Sequence, residues 1–491
     1  MAPNSDAATG WRPPLAGPLR LGAIGPVPQS GWLAGALGRF LLFFLLAFAL
    51  IGTRPFSGTD VDSASSASDG SLNQIVWLSS ILLAGPLLLA RARMAFAIAR
   101  NAWPLLLVMA WATATALWSP LPDLTVRRVA VLWLMYGAAL GIAVVEIPLW
   151  EFHRYAMLIT GIVMGADVLG ALGIPSHAIN NEGQLVGMHG HKNTAGQVAV
   201  MAAICWYFFA FRYQWTLNRL LILAASAFFY LLILATGSKT GSALAFLVMG
   251  WCTLWAVTVR KGAAVGAICW IGFGLAAAGV TGILMGSGVT ATEVGTALFG
   301  DLTFTGRLPL WEVIWDQIQQ HYWLGYGFGA FWDVNGLDNS FGLARSVGWL
   351  GVVGQAHNGY LDLFLQIGLV GLGLALFSLL WCIRLGHRLL QQTPRHPFDI
   401  PARAFGYAMI LSIGLYNLLE SSYLRPHHLQ AIWLFLILPI MQRELMEALA
   451  RARHEKAVRE AANREPIRRA RHQPPPRRAV PAAPERREPH L

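Results

Sequence analysis

The chain has 491 residues, of which 55% are hydrophobic and 12% charged, with a mean hydropathy of +0.51. An average soluble domain carries about twice that share of charge, so this chain cannot cover a water-facing surface of its size. A cytosolic enzyme, a secreted disulfide scaffold and a disordered chain are all excluded, and a polytopic membrane protein is expected. The net charge is +11, and the position of that charge decides what it means. The four cysteines, Cys205, Cys252, Cys269 and Cys382, all fall in apolar runs without CxxC spacing. They read as small buried side chains, and neither a disulfide framework nor a zinc site is expected.

A membrane span needs about 20 mostly apolar residues. Twelve such runs are predicted: 32–52, 73–90, 102–118, 129–146, 156–173, 195–211, 219–236, 241–259, 263–285, 359–382, 404–420 and 429–442. Residues 1–31 form a lead-in rich in Pro and Gly. Arg39 lies inside the first run. The first run is long enough to span and is not a cleavable leader.

Lys and Arg stay on the cytoplasmic side of a membrane protein. With the N-terminus inside, the opposite side holds only Arg54, Arg127, Arg128, Lys192, Lys239, Arg307, Arg345 and Arg425. Twelve spans return the C-terminus inside, where the Arg-rich stretch 443–491 lies. The first half of that tail, up to Arg464, could form a surface helix. Its end, PPPRRAVPAAPERREPHL, has the composition of a disordered segment. The tail suits anionic lipid, and no nucleic-acid partner is expected from charge alone.

The outward segments carry the chemistry. The largest runs over 286–358, between the ninth and tenth spans. In it Pro309 opens LWEVIWDQIQQHYW, where Trp311, Ile314, Trp315, Ile318 and Tyr322 recur at helical spacing. An amphipathic helix at the bilayer surface is predicted. LGYGFGAFW and AHNGYLD follow. The shorter outward segments are WSPLPDLTVRR, HGHKNTAG, GSKTG and ESSYLRPHH.

Lys192, Lys239, Arg307 and one or both of Arg127 and Arg128 sit at span ends on the side where basic residues are scarce. Each alone could snorkel to the interface. Four basic sites in separate loops on one face would suit a shared anion, with Arg offering a fork and Lys a point charge to phosphate oxygens. A lipid-linked pyrophosphate is the natural candidate there. His357 is a candidate general base. His191, Asn193, Asn358 and Glu420 are candidates to touch the same substrate. Each also has a plain structural reading as a cap, a lipid anchor or a buried pair. Trp311, Trp323, Phe331 and Trp332 belong to an interface belt or line a sugar groove.

Together, WSPLPDLTVRR, GMHGHKNTAG, GSKTG, FTGRLPLWEVIW with LGYGFGAFW, and AHNGYLDLFLQIGLVGL resemble, in order, the O-antigen ligase and polysaccharide polymerase superfamily, most closely its ExoQ-like exopolysaccharide branch. NLLESS resembles that family's last outward loop. The resemblance implies an all-α GT-C-type fold in the bacterial inner membrane, with both termini cytoplasmic. It implies a metal-independent inverting glycosyltransferase with no cofactor. The donor would be a glycan on undecaprenyl pyrophosphate, used at the periplasmic face with a glycan acceptor. Chain-length regulators or export proteins are possible partners. Mapped onto this sequence, Arg307 is the pyrophosphate arginine and His357 the catalytic histidine. Where many relatives carry Arg in the short link, this chain has Lys239, which keeps the charge and loses the fork. A ligase moving finished glycan to lipid A core or protein shares the same donor site. A secondary transporter and a non-catalytic scaffold are the readings from other classes.

Overall fold

The computed structural model describes residues 31–52, 70–261, 268, 271–272, 307–332 and 354–472; for some helical residues, Lys239 and Arg307 among them, it describes the backbone alone. All regular elements among these are helices. In chain order they are α1 (Trp32–Ile51), α2 (Gly70–Ala90), α3 (Ala92–Asn101), α4 (Trp103–Ala114), α5 (Pro122–Ala143), α6 (Leu149–Gly173), the single turn α7 (Pro175–Ala178), α8 (Lys192–Ala210), α9 (Leu217–Ala235), α10 (Lys239–Lys261), α11 (Arg307–Gln320), α12 (Gly359–Leu390), α13 (Asp399–Tyr416) and α14 (Leu429–His472).

Among the described residues, eight helices are long and apolar enough to cross a membrane, or nine if the pair α3–α4 is one span. That pair is bent by 83°. The expected third span falls on α4 and the turn after it, which reach span length only together with α3, the basic helix bent away from it. The expected eighth and eleventh spans coincide with α10 and α13; α10 holds the shorter apolar helix Leu244–Val259, and α13 is not among the eight. The expected ninth span, 263–285, and most of the large outer loop fall outside the described residues. So do the Pro-rich end of the tail and residues 1–30. The first half of the tail is not a separate surface helix: it continues α14 without interruption to His472.

The bundle is layered by apolarity. α14 is buried all round over residues 429–442, and it packs on α1, α5, α12 and α13. α8 is nearly as enclosed, between α6, α9, α10 and α13. The outer helices α2 and α9 expose large apolar side chains such as Leu82 and Leu231. That much exposed hydrocarbon matches lipid rather than water. Arg39, alone in α1, is neutralised by a two-point pair with Glu151 on α6, at 2.6 and 3.2 Å.

α12 is broken near its start. Gly368 has φ +69°, and its missing Cβ would lie 2.2 Å from the Trp323 carbonyl oxygen. The segment 322–329 lies along the break and takes up the backbone groups that the helix has released. Tyr326 N donates to Leu365 O (3.0 Å), Gly327 N to Gln366 O (2.8 Å) and Leu369 N to Tyr322 O (2.9 Å). The Trp111 indole donates to Ile367 O at 2.9 Å. The glycines at 325, 327 and 329 all have positive φ. They serve the tight turns of this segment, and they let the two backbones meet. A left-handed residue with a side chain costs about 1–2 kcal/mol, to which the clash with Trp323 adds. Gly368→Ala should therefore lower the thermal midpoint in detergent by several degrees. Gly373→Ala, five residues on with open space around it, should leave that midpoint unchanged.

Candidate functional site

At one end of the bundle, residues from several segments converge on one carboxylate. Glu420 follows α13 and is buried. His357 Nδ1 lies 2.9 Å from its Oε2, Gln355 Nε2 donates to the same oxygen at 3.2 Å, and Asn193 Nδ2 donates to Oε1 at 3.2 Å. These partners come from residues 355–357 and the first turn of α8, while Glu420 itself lies in the loop before α14. A carboxylate accepting at Nδ1 fixes the neutral imidazole with its proton there and its lone pair on Nε2. His357 keeps partial exposure (26% of its side chain) while Glu420 is enclosed (8%). An exposed base oriented by a buried acid is the arrangement expected of proton abstraction.

The backbone at His357 is held against its preference. Its φ is +48°, a conformation that side-chain-bearing residues adopt only when the surroundings impose it. The constraints lie on either side. The Trp311 indole on α11 donates to Ala356 O at 2.9 Å. The Asn358 side chain accepts from Tyr360 N and Leu361 N, capping α12. Gly359 N donates to Asn417 O at 2.8 Å, and a Cβ on Gly359 would lie 1.9 Å from Asn417 Oδ1. That same Oδ1 accepts from Ser422 N (3.0 Å) and Tyr423 N (2.9 Å), shaping the loop that carries Glu420.

The expected cations are placed unequally. Arg307 opens α11 one turn before Trp311, whose indole meets the carbonyl next to His357. Lys239 opens α10. The preceding Ser238 packs against Gly196, three residues beyond Asn193. The two side chains lie outside the described residues. Arg128 does reach inward, but its guanidinium donates to Gly329 O in the loop along α12. Its neighbour Arg127 is exposed. Lys192 pairs with Glu182 at 3.1 Å on the surface, an arrangement worth little. His191 caps α8 by accepting from Asn193 N. Of the HKN triplet, Asn193 touches Glu420.

Arg425, the least weighted of the outer cations in the sequence, is brought into the centre. Its guanidinium donates to Gln355 Oε1 and, at 3.5 Å, to Ser421 O. Burial draws the guanidinium down from its ordinary value, while Asp362 and Glu420 oppose that and Arg128 adds to it. Asp362 accepts from the Trp332 indole at 2.7 Å. Trp311 and Trp332 therefore brace the loop with their N–H groups. Phe331 is buried, and Trp323 is the exposed member of the four expected aromatics. Gln355 carried no signal in the sequence beyond adjacency to His357. A second buried pair, His189 Nε2 to Asp167 Oδ2 at 3.0 Å, was also missed; it fixes the turn before α8. Among the described residues, no group of three or more His, Cys, Asp or Glu side chains could hold a metal ion.

Residues 224–376 match the family model described as Wzy_C, O-Antigen ligase. The match covers less than half of the chain, and it supports the superfamily of O-antigen ligases and Wzy-type polymerases. The matched stretch includes Lys239, Arg307, His357 and Asn358 and stops short of Glu420; Asn193 and Arg128 precede it. The family implies a glycosyltransferase-like activity on lipid-linked glycans with a glycan acceptor. No curated protein matches the chain significantly.

Two outcomes follow. Glu420→Gln keeps the shape of the hub and removes its charge, so glycan transfer should fall by about tenfold or more, within the span of general-base effects. Its unfolding midpoint should stay close to the parent's. His428, just before α14, is pushed down to about 3 by burial and by Arg425. It is neutral when folded and takes a proton near pH 6.5 when unfolded. The unfolded chain therefore binds more protons between these values, and stability drops as pH falls below about 6.5. The thermal midpoint should decline from pH 7 to pH 5, and less steeply in His428→Asn.

Proposed function

We propose that the protein is a membrane glycosyltransferase that polymerises lipid-linked polysaccharide repeats at the periplasmic face of the inner membrane. The observation that carries this reading is the His357–Glu420 pair at the outward end of the bundle, with His357 inside the O-antigen ligase domain.

An acceptor sugar hydroxyl attacks the anomeric carbon of the donor's first sugar. His357 Nε2 takes the hydroxyl proton, and Glu420 steadies the resulting imidazolium. The bond between the anomeric carbon and the phosphate oxygen breaks, and undecaprenyl pyrophosphate leaves. Arg307 and Lys239 are assigned to its growing negative charge. A single displacement inverts the anomeric centre. Arg128 and Arg425 hold the loops in place, and Arg425 adds positive potential beside the hub. Asn193 acts through Glu420, and Asn358 through the cap of α12. Lys192, His191 and Arg127 are peripheral in this scheme. The break in α12 does not favour a transporter, because the carbonyls of residues 365–367 are taken up by protein donors.

The ligase reading shares every one of these steps and differs in the acceptor. Deleting the gene and extracting the lipid-linked sugars separates them. Single unpolymerised repeats are expected. Full-length chains stranded on the carrier lipid would replace polymerase by ligase. His357→Ala should reproduce the deletion, with turnover reduced about 10²–10⁴-fold and protein abundance in the membrane unchanged. The charge compensation comes from side chains, so chelating divalent metals from purified protein should leave turnover intact.

A further inference from the structure

The helices run from the His357 end to a second concentration of charge at the other end of the bundle. A cavity of about 330 Å³ lies there, lined by the turn between α5 and α6, the loop between α12 and α13, and α14. Four arginines and four carboxylates line it. The two signs are not equally committed.

Each carboxylate has partners. Glu146 takes Arg91 at 2.6 Å. Glu444 accepts from Leu149 N at 2.6 Å. Asp399 accepts from Arg395 N (2.8 Å) and His396 N (3.1 Å), and stands 3.6 Å from Arg403. Glu447 lies 3.3 Å from Arg443.

The arginines divide into two pairs. Arg443 is buried and donates to Ala143 O and Ile147 O. Arg403 is buried and donates to Gln392 O. The other two are left over. The exposed Arg395 has no side-chain partner among the described residues. Arg451 comes no closer to a carboxylate there than 4.0 Å, at Glu447. Trp150 also lines the cavity, stacked on His396 at 5.4 Å, and its indole N–H has no partner among the described residues.

We propose that this cavity is a binding site for a phosphate group, held by the guanidinium groups of Arg395 and Arg451. Two forks on one small cavity suit the oxygens of a tetrahedral anion. Arg403 and Arg443 add fixed positive charge behind them. The stacked Trp150 provides the apolar wall and amphipathic edge common at a membrane boundary. The phosphate belongs either to the headgroup of an anionic lipid or to a soluble phosphate. The site is separate from the transfer chemistry, and nothing in the proposal depends on the role of His357.

The test uses the full-length protein in detergent and follows its thermal midpoint against added phosphatidylglycerol, phosphatidylcholine or inorganic phosphate. Phosphatidylglycerol or inorganic phosphate should raise the midpoint. Its half-saturating concentration should increase about tenfold in the double variant Arg395→Gln, Arg451→Gln, since each basic residue contributes several-fold to anion attraction at a membrane surface. A control removes two exposed charges from the same end outside the cavity, Arg384→Gln with Arg388→Gln, and should not differ from the parent. A response to phosphatidylglycerol alone assigns the headgroup; a response to inorganic phosphate assigns a site open to soluble esters. The proposal is overturned if neither ligand stabilises the parent, if phosphatidylcholine acts as well as phosphatidylglycerol, or if both double variants lose the response equally. Arg395→Gln alone touches no hydrogen-bonded side chain. It should keep the parent's unliganded midpoint and show a several-fold weaker response; an unchanged response in it overturns the assignment as well.

Discussion

The Glu420 carboxylate is where distant parts of the chain are forced to agree. Its two oxygens take donors from Asn193, Gln355 and His357, which lie as much as 227 positions away in sequence. An enclosed carboxylate without such donors would carry a large desolvation cost. The hub therefore forms only when α8, the loop before α12 and the loop before α14 are all in register. This requirement ties the bundle's assembly to the completion of the site, and it sets His357 beside a buried carboxylate at one end of the bundle.

The large outer loop is held to the membrane bundle in a complementary way. Its described part packs Leu310, Ile314, Ile318 and Phe331 on Phe364 and Leu365 of α12, and hydrogen bonds to backbone add to that grip. Trp311 reaches the Ala356 carbonyl, Arg128 reaches the Gly329 carbonyl, and residues 322–327 pair with the broken start of α12. Backbone pairing is indifferent to side chains except where it demands glycine. Gly325, Gly327 and Gly329 in the loop, and Gly368 in α12, are the positions where that pairing requires glycine.

Much of this was legible in the sequence, and the reasons are physical. Apolar runs of span length give helices almost by necessity, because a backbone in lipid must satisfy its own polar groups. α1, α2, α5, α6, α8 and α9 accordingly lie close to their expected places. The bend between α3 and α4 was not predicted, although Arg100 and Asn101 before Ala102 and Pro104 after it mark the corner; the basic stretch before it lay outside the apolar runs and was not read as a helix. Nor was the continuation of α14 through Arg443, because a buried arginine among backbone carbonyls resembles the end of a span. In the site, His357 and Glu420 could be proposed singly from their motifs. Their contact could not, because 63 residues separate them and no local pattern reports a long-range pair. Conversely, His191, Lys192 and Arg128 were assigned by charge and position alone. The structure finds them capping a helix, pairing on the surface and bracing a loop.

The interruption at Gly368 also divides α12 mechanically. The nine residues from Gly359 to Ile367 are oriented by the outer loop and by Asn417, while the longer remainder answers to its neighbours inside the bilayer. Helices of this length tilt and curve as the surrounding membrane changes thickness. A continuous rod would carry that motion straight to its tip. Here the joint absorbs it, so the imidazole keeps its bearing on the carboxylate whatever lipid surrounds the lower half.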